Sequence, residues 1–195
     1  GAIHGNIERT YLGHDARNIR WQWRRSKKSE FEKSRLKWLQ YCLRSATMEN
    51  FTFEENEDKG EASMSLDFIS DNYARSIGGR LLVFQPSLVS RSEWVGKEDA
   101  NRVSEIKYSG SFESDVITIQ LPEGYVPDEV PTDVDIDTDF SSIKCTTRIE
   151  DNVLTFTREY TTKAVTIDAA RWDEIREFNK ALSKAEAATV VLLKK

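Results

Sequence analysis

The residues best suited to nucleophilic or metal chemistry are two cysteines and two histidines: Cys42, Cys145, His4 and His14. A Cys–His catalytic pair needs a histidine within hydrogen-bond reach of a thiol, and nothing in the local sequence places one there. A zinc site needs closely spaced Cys or His ligands, and the sequence has no such spacing. We therefore predict no catalytic residues, no metal site and no cofactor. We also expect two buried free thiols rather than a disulfide.

Four acids alternate along Asp133–Asp139 in a pattern that is superficially that of a calcium-binding loop. If the loop is counted from Asp135, the position that needs glycine for the turn is Phe140, and the position that needs the closing glutamate is Thr146. The same alternation predicts a strand with aspartates on one face and Val134 and Ile136 on the other. We favour an edge strand whose charges prevent pairing with other chains. Weak cation binding is the alternative.

The N-terminal quarter of the chain is basic, although the net charge of the 195 residues is −5. Residues 1–48 carry eleven Lys and Arg against four acids, whereas residues 49–195 carry seventeen against twenty-nine. The predicted interaction surface consists of Arg17, Arg20, Trp21, Arg24, Arg25, Lys27 and Lys28. Its cations can contact phosphates, and its tryptophan can stack on bases or sugar rings. Two other interpretations are open: the basic and acidic parts neutralise each other in the fold, or the basic face lies on an acidic neighbouring domain.

Helices are predicted to carry this basic segment and the residues that follow it. Asp15 is a favourable N-cap for a helix to about Trp23, with Ile19 and Trp23 on its inner face. The alternative is a strand in which Ile19, Trp21 and Trp23 share a face.

A second helix is predicted over Ser29–Arg44, where Glu32 completes a capping box. Arg35 falls within the apolar stripe of this helix, so we expect its side chain to reach solvent or an acid. The stripe itself consists of Phe31, Leu36, Trp38, Leu39, Cys42, Leu43 and Ala46.

Strands dominate the rest of the chain, before a helix capped by Asp168 and a last strand over Thr189–Leu193. The predicted strands there are Asn50–Glu55, Ala62–Ile69, Arg80–Gln85, Ser104–Phe112, Asp115–Leu121, Val134–Thr138, Ser142–Ile149 and Val153–Thr161. An extended segment is also predicted over Ile3–Leu12, before the helices. We predict an α+β fold, mainly an antiparallel β-sandwich with an N-terminal helical segment and a C-terminal helix plus final strand. The N-terminal strand and basic helical segment occupy residues 1–46, and the β-sandwich-like domain with the C-terminal helix occupies residues 47–195. These two parts are also able to form one compact unit.

The ends of the chain and its hydropathy limit the class of protein further. No apolar run approaches 18 residues, which excludes a membrane-spanning helix. The chain begins Gly1-Ala2-Ile3 without a methionine, so we expect it to be a piece of a longer protein.

Motifs in the second half of the chain resemble a known family. They are Leu121-Pro122-Glu123-Gly124-Tyr125, Val130-Pro131, the hairpin strand Leu154–Arg158, Arg171-Trp172 and the terminal Val190–Lys194. The chain is similar over most of its length to the C-terminal region of bacterial transglutaminase-like envelope proteins. In that family a β domain of unknown function follows a transglutaminase-like core.

The resemblance implies a non-catalytic accessory or interaction domain. The family's Cys-His-Asp catalytic residues belong to the core, which would lie upstream, and no position here matches them, Cys145 included. The implied partners are that core and an envelope or substrate protein, and the implied location is the periplasm or cell envelope. The alternative is a basic Trp/Arg-rich binding module for an acidic polymer or glycan. Nucleic acid is disfavoured because the whole chain is acidic, and an enzyme with an unrecognised site is the least favoured interpretation.

Overall fold

The computed structural model describes residues 2–43, 45–71, 73–88 and 103–195. Within these ranges the helices are α1 (Gly13–Arg25), α2 (Lys28–Cys42) and α3 (Trp172–Glu186), and a 3₁₀ turn (Ala169–Arg171) precedes α3. The strands there are β1 (Ile3–Leu12), β2 (Thr47–Asn56), β3 (Glu61–Ser70), β4 (Arg75–Ile77), β5 (Leu81–Phe84), β6 (Ile106–Tyr108), β7 (Ser111–Gln120), β8 (Tyr125–Glu129), β9 (Val134–Asp137), β10 (Ser141–Glu150), β11 (Val153–Thr162), β12 (Val165–Ile167) and β13 (Val190–Lys194).

The described residues form one large sheet of seven strands in the order β2-β3-β1-β7-β11-β10-β9, with antiparallel pairing throughout. Strand β1 lies in its interior, between β3 and β7, although it is first in the chain. Buried and exposed residues alternate along the central strands, so one face of the sheet lies in the core and the other faces solvent.

A smaller sheet in the order β4-β5-β13-β8 and helix α3 contribute to the same core. Phe178 of α3 packs against Phe140, with ring centroids 5.6 Å apart, and Leu192 of β13 is buried beside them in the same apolar cluster. The mostly antiparallel α+β architecture, with a C-terminal helix followed by a last strand, confirms the predicted fold class.

Helix α1 begins three residues earlier than predicted, and Asp15 is not its N-cap. The N-cap is Leu12, which makes no side-chain capping bond, and Asp15 lies in the first turn, where a carboxylate stabilises the helix dipole. Gly13 adopts a φ of +65°, and a Cβ there would lie 2.6 Å from the carbonyl oxygen of Gly110. The chain therefore turns from β1 into α1 at a position that favours glycine.

Helix α2 begins at Lys28, and the predicted capping box is wrong because its N-cap, Lys27, makes no side-chain bond. Within the described residues Arg35 forms no ion pair with an acid, and its side chain is partly exposed. Its guanidinium lies over the Phe31 ring, 5.0 Å from the centroid, and donates to Oε1 of Gln22 at 3.3 Å. Burial lowers the pKa of Arg35. Arg44, where the helix was predicted to end, lies outside the described residues.

The turn Glu150-Asp151-Asn152 predicts that Ser142–Ile149 and Val153–Thr161 form a hairpin, and β10 and β11 confirm it. The strands before this hairpin are divided differently from the prediction. Ser104–Phe112 is not one strand, because β6 ends at Tyr108 and β7 begins at Ser111. Strands β4, β8 and β12 were not predicted, since each is short. Strand β8 also contains Pro127, which is tolerated because β8 lies at the edge of its sheet.

Candidate functional site

The outer face of α1 forms a concave basic surface of about 410 Å³. It is lined by Arg17, Arg20, Trp21, Arg24 and Arg25, together with Glu57 from the β2–β3 turn. The spacing explains this arrangement, since helix residues three, four and seven positions apart lie on one face. We call these five α1 residues the α1 surface. They are five of the seven residues of the predicted interaction surface.

The opposite face of α1 fixes the helix against the large sheet. Ala16 and Ile19 are buried there, and Trp23 packs on Phe31 and Phe53 with ring centroids 5.0 and 4.9 Å away. The prediction that Ile19 and Trp23 share the inner face is confirmed. Because this face is apolar and packed, the arginines of α1 must face solvent.

Arg24 connects the α1 surface to the neighbouring turn. Its Nη2 lies 2.7 Å from Oε2 of Glu55 and also contacts Glu57, and hydrogen bonds to both acids raise its pKa. These contacts neutralise Arg24. They also show that part of the basic segment is balanced by acids within the fold, as one of the open interpretations expected.

The other three arginines of the α1 surface keep their charge available. Arg17 contacts Nδ1 of His14 at 3.2 Å, and Arg20 donates from Nε to a backbone carbonyl of its own helix. Arg25 lies over the ring of Trp21, 4.9 Å from the centroid. In the part of the chain that the structure describes, no carboxylate lies within ion-pair distance of these three guanidinium groups.

Trp21 is 59% exposed, although its ring is large and apolar. An exposed aromatic ring beside three cations is an arrangement that binding surfaces use, because it offers a stacking platform next to charge. Lys27 and Lys28 do not line this surface. They are exposed at the junction of α1 and α2, where Lys28 Nζ lies 3.8 Å from Glu32.

A buried network of charges across the large sheet was not predicted from the sequence. Asp115 of β7 is directly opposite Arg9 of β1 on one side and Arg158 of β11 on the other. All three side chains point into the core, and each is less than a tenth exposed. Glu113 and Glu186 complete the network, and Glu186 connects it to the C-terminal end of α3.

The distances within this network make it a continuous chain of ion pairs. Asp115 Oδ1 lies 3.1 Å from Arg9 Nε, and Asp115 Oδ2 lies 3.1 Å from Arg158 Nη1. Arg9 Nη2 donates to Glu113 at 2.5 Å, and Arg158 Nε donates to Glu186 at 2.8 Å. Burial raises the pKa of the Asp115 carboxyl, and the two guanidinium groups oppose that effect. The Asp115 carboxylate therefore balances the charge of two buried guanidinium groups at once.

A sequence signal for this network exists in the alternation of the strands. Arg9 falls between Ile7 and Tyr11 on the face that alternation assigns to the core, and Arg158 has the same position between Phe156 and Tyr160. Charged residues on core faces are rarely found without partners of opposite sign. Oppositely charged core positions in separate strands thus indicate strands that lie side by side.

The alternating acids of Asp133–Asp139 lie on and beside β9, which is an edge strand as predicted. Three of them contact cations of the fold: Asp133 with Arg148, Asp137 with Lys163 and Asp139 with Arg171. Within the described ranges, no group of three or more His, Cys, Asp or Glu is arranged to hold a metal ion.

No helix in those ranges is long and apolar enough to cross a membrane.

Cys145 of β10 is a buried free thiol, as predicted. Burial raises the pKa of this thiol to about 11, so it carries almost no thiolate at neutral pH. This environment is that of a structural cysteine and not of a nucleophile. The side chain of Cys42 lies outside the described part of the chain, so its predicted free state stays a prediction.

The described elements define a mostly antiparallel α+β domain with a basic helical surface and a buried charge network. The chain belongs to the family described as "Domain of Unknown Function with solved-structure structure (DUF3858)", which matches residues 79–192, more than half of the chain. No curated protein and no solved structure matches the chain. The matched residues begin just before β5, so α1, α2 and strands β1–β4 precede them.

Proposed function

We propose that this chain is a non-catalytic interaction domain that binds an acidic glycan through the α1 surface. The observation that carries the proposal is that three arginines without acid partners in the described structure lie around an exposed tryptophan in one concave surface. The packing of Ala16, Ile19 and Trp23 fixes the helix from which these side chains project, so no rearrangement of the backbone is needed on binding.

The chemistry of the α1 surface fits sugars that carry carboxylate, sulfate or phosphate groups. The planar guanidinium groups of Arg17, Arg20 and Arg25 can each form two parallel hydrogen bonds to such an anion. The ring of Trp21 offers an apolar face on which a sugar ring can stack. A long nucleic acid fits less well, because the remainder of the chain is acidic and would repel its backbone.

Titration with a fluorescent heparin oligosaccharide tests this proposal. We expect saturable binding at 50 mM NaCl that weakens steeply at 200 mM, because bound cations release counterions. The triple variant Arg17→Ala/Arg20→Ala/Arg25→Ala should weaken binding by at least about tenfold and flatten the salt dependence. Trp21→Ala should weaken binding without changing the salt dependence, because it removes stacking and no charge.

A matched triple variant controls for the change in net charge. Lys33→Ala/Lys37→Ala/Lys59→Ala removes three exposed cations that lie outside the α1 surface, so it should bind nearly as the natural chain does. Equal losses in the two triple variants would show that net charge alone drives binding. The glycan assignment would be contradicted if polyphosphate bound as tightly as the oligosaccharide and if Trp21→Ala left its affinity unchanged.

We further propose that the domain is an accessory part of a transglutaminase-like envelope protein. The support is the resemblance of its motifs, which occupy connected positions in the fold. The turn Leu121–Tyr125 leads from β7 into β8, and β8 pairs with the terminal strand β13. Leu121 is buried, and its backbone exchanges hydrogen bonds with Asn152. This turn thus joins the two sheets, which is a structural role and not a catalytic one.

The behaviour of Cys145 tests the non-catalytic assignment. In a Cys42→Ser variant at pH 8, we expect the native thiol to react with an aromatic disulfide reagent on the order of a hundredfold more slowly than in urea. We also expect neither glutamine acyl transfer nor peptide hydrolysis by the natural chain. Either activity, if lost in Cys145→Ser while the fold is retained, would overturn the assignment.

A further inference from the structure

A groove of about 440 Å³ lies between the C-terminal half of α3 and strand β9, far in sequence from the α1 surface. Val134 and Ile136 of β9 form one wall, and small residues of α3 and the loop after it, Ala181, Ala185 and Ala188, form the other. Small side chains on a helix leave room for the side chains of a bound segment. The groove thus has two mainly apolar walls beside an edge strand, with Glu129 and Lys184 as its charged lining residues.

The backbone of β9 has hydrogen-bonding groups that face away from the sheet. The amide of Thr138 donates to the carbonyl of Ser141, which makes these two residues a hydrogen-bonded pair of the antiparallel ladder. Such pairs alternate with pairs that are not hydrogen-bonded, so the N–H and C=O groups of Asp135 and Asp137 point to the open edge. Within the described residues, no strand pairs with that edge.

We infer that this edge and groove bind an extended peptide in which apolar and basic residues alternate. Paired with β9, such a peptide would place every second side chain in the groove, next to Val134 and Ile136. Its other side chains would lie next to Asp135 and Asp137, on the exposed face of the sheet. Main-chain hydrogen bonds would provide affinity, and the two faces of the peptide would provide specificity.

The charge of the edge favours a basic occupant. Asp135 is exposed and forms no ion pair within the described residues, although Lys144 of β10 is its cross-strand neighbour. Asp133, Asp137 and Asp139 are partnered within the fold. A second copy of this chain is disfavoured, because two β9 strands in antiparallel pairing would bring their aspartates side by side. A basic segment converts the same positions into attractive pairs.

An eight-residue acetylated and amidated peptide that alternates Lys and Val is the probe for this site. We expect it to bind in isothermal titration at low salt at least tenfold more tightly than a peptide that alternates Glu and Val. A Lys/Val peptide of equal composition with its four valines consecutive should bind as weakly as the Glu/Val peptide. Equal binding of all three peptides would overturn the inference.

Substitutions test separately how much the edge of β9 and the groove contribute to peptide binding. Asp135→Ser removes the charge, whereas Asp135→Pro also removes the N–H at the open edge, where proline is compatible with the sheet. We expect Asp135→Pro to bind at least fivefold more weakly than Asp135→Ser. Ala181→Phe should fill the groove and abolish binding, whereas Ala187→Phe, an exposed position at the end of α3 that does not line the groove, should not. Binding that survives Ala181→Phe, or that does not distinguish Asp135→Pro from Asp135→Ser, would overturn the inference.

Hydrogen exchange on the natural chain supplies a test that needs no substitution. The bound Lys/Val peptide should slow exchange of the Asp135 and Asp137 amides by at least tenfold. Unchanged exchange at both amides under saturating peptide would overturn the inference. A concentration-dependent dimer in sedimentation, lost in Asp135→Pro, would also overturn it and would assign the edge to a second copy of the chain.

Discussion

Replacing Asp115 with alanine is expected to lower the free energy of unfolding by about 3–5 kcal/mol. The carboxylate has no exposed surface and is shared by Arg9 and Arg158, each 3.1 Å away. An arginine does not lose its proton in a protein, so the substitution leaves positive charge in a low-dielectric core. Glu113 and Glu186 retain contacts with these arginines but cannot replace a carboxylate that lies between them. Urea denaturation monitored by tryptophan fluorescence measures the change.

Two comparisons show whether the effect comes from buried charge. Asp133→Ala breaks an ion pair with Arg148 in which both side chains are about half exposed, and it should cost less than about 1 kcal/mol. The double variant Arg9→Met/Asp115→Leu removes one charge of each sign and leaves Arg158 paired with Glu186. It should be more stable than Asp115→Ala alone, although it changes more atoms. Similar costs for Asp115→Ala and Asp133→Ala would contradict the assigned role of the network.

The same network shows which features of the fold local sequence patterns can predict and which they cannot. Alternation indicated all three of its strands and the apolar residues around its charges, because side-chain direction in a strand has a period of two. The pairing of β1 with β7, which lies about a hundred residues further along the chain, is a tertiary event that no local pattern encodes. Arg9 and Asp115 therefore appeared unrelated until the register of the sheet joined them.

The α1 surface was easier to predict, because its residues lie on consecutive turns of one helix. The spacing of Arg17, Trp21 and Arg24 is sufficient to place them on one face once the segment is helical. The acid partners of Arg24 were not predictable, since Glu55 lies near the end of β2 and Glu57 in the turn that follows, and their position depends on how the sheet folds over α1. Local geometry thus predicted which side chains are grouped, and tertiary packing decided which of the arginines have an acid partner in the described structure.

Gly5 shows a further constraint that composition cannot reveal, and its substitution by alanine is expected to cost about 3 kcal/mol. A Cβ at this position would lie 2.3 Å from the carbonyl oxygen of Thr118 and 2.6 Å from the ring of Phe68. Strand β1 is hydrogen-bonded on both sides at this point, so it cannot move away from one neighbour without disturbing the other. The cost should appear as a lower midpoint in urea denaturation with an unchanged slope.

A second glycine and a second-site substitution locate the origin of that cost. A Cβ at Gly110 would have its nearest contacts at 3.6 Å, which is ordinary packing, so Gly110→Ala should cost less than about 1 kcal/mol. Phe68→Leu removes the ring that a Cβ at position 5 would meet. Gly5→Ala should therefore lower the free energy of unfolding less in a Phe68→Leu background than in the natural chain. Recovery cannot be complete, because the carbonyl of Thr118 belongs to the backbone and stays in place. Equal stability of Gly5→Ala and Gly110→Ala would show that β1 can shift, and that the large sheet is less constrained at its centre than its pairing indicates.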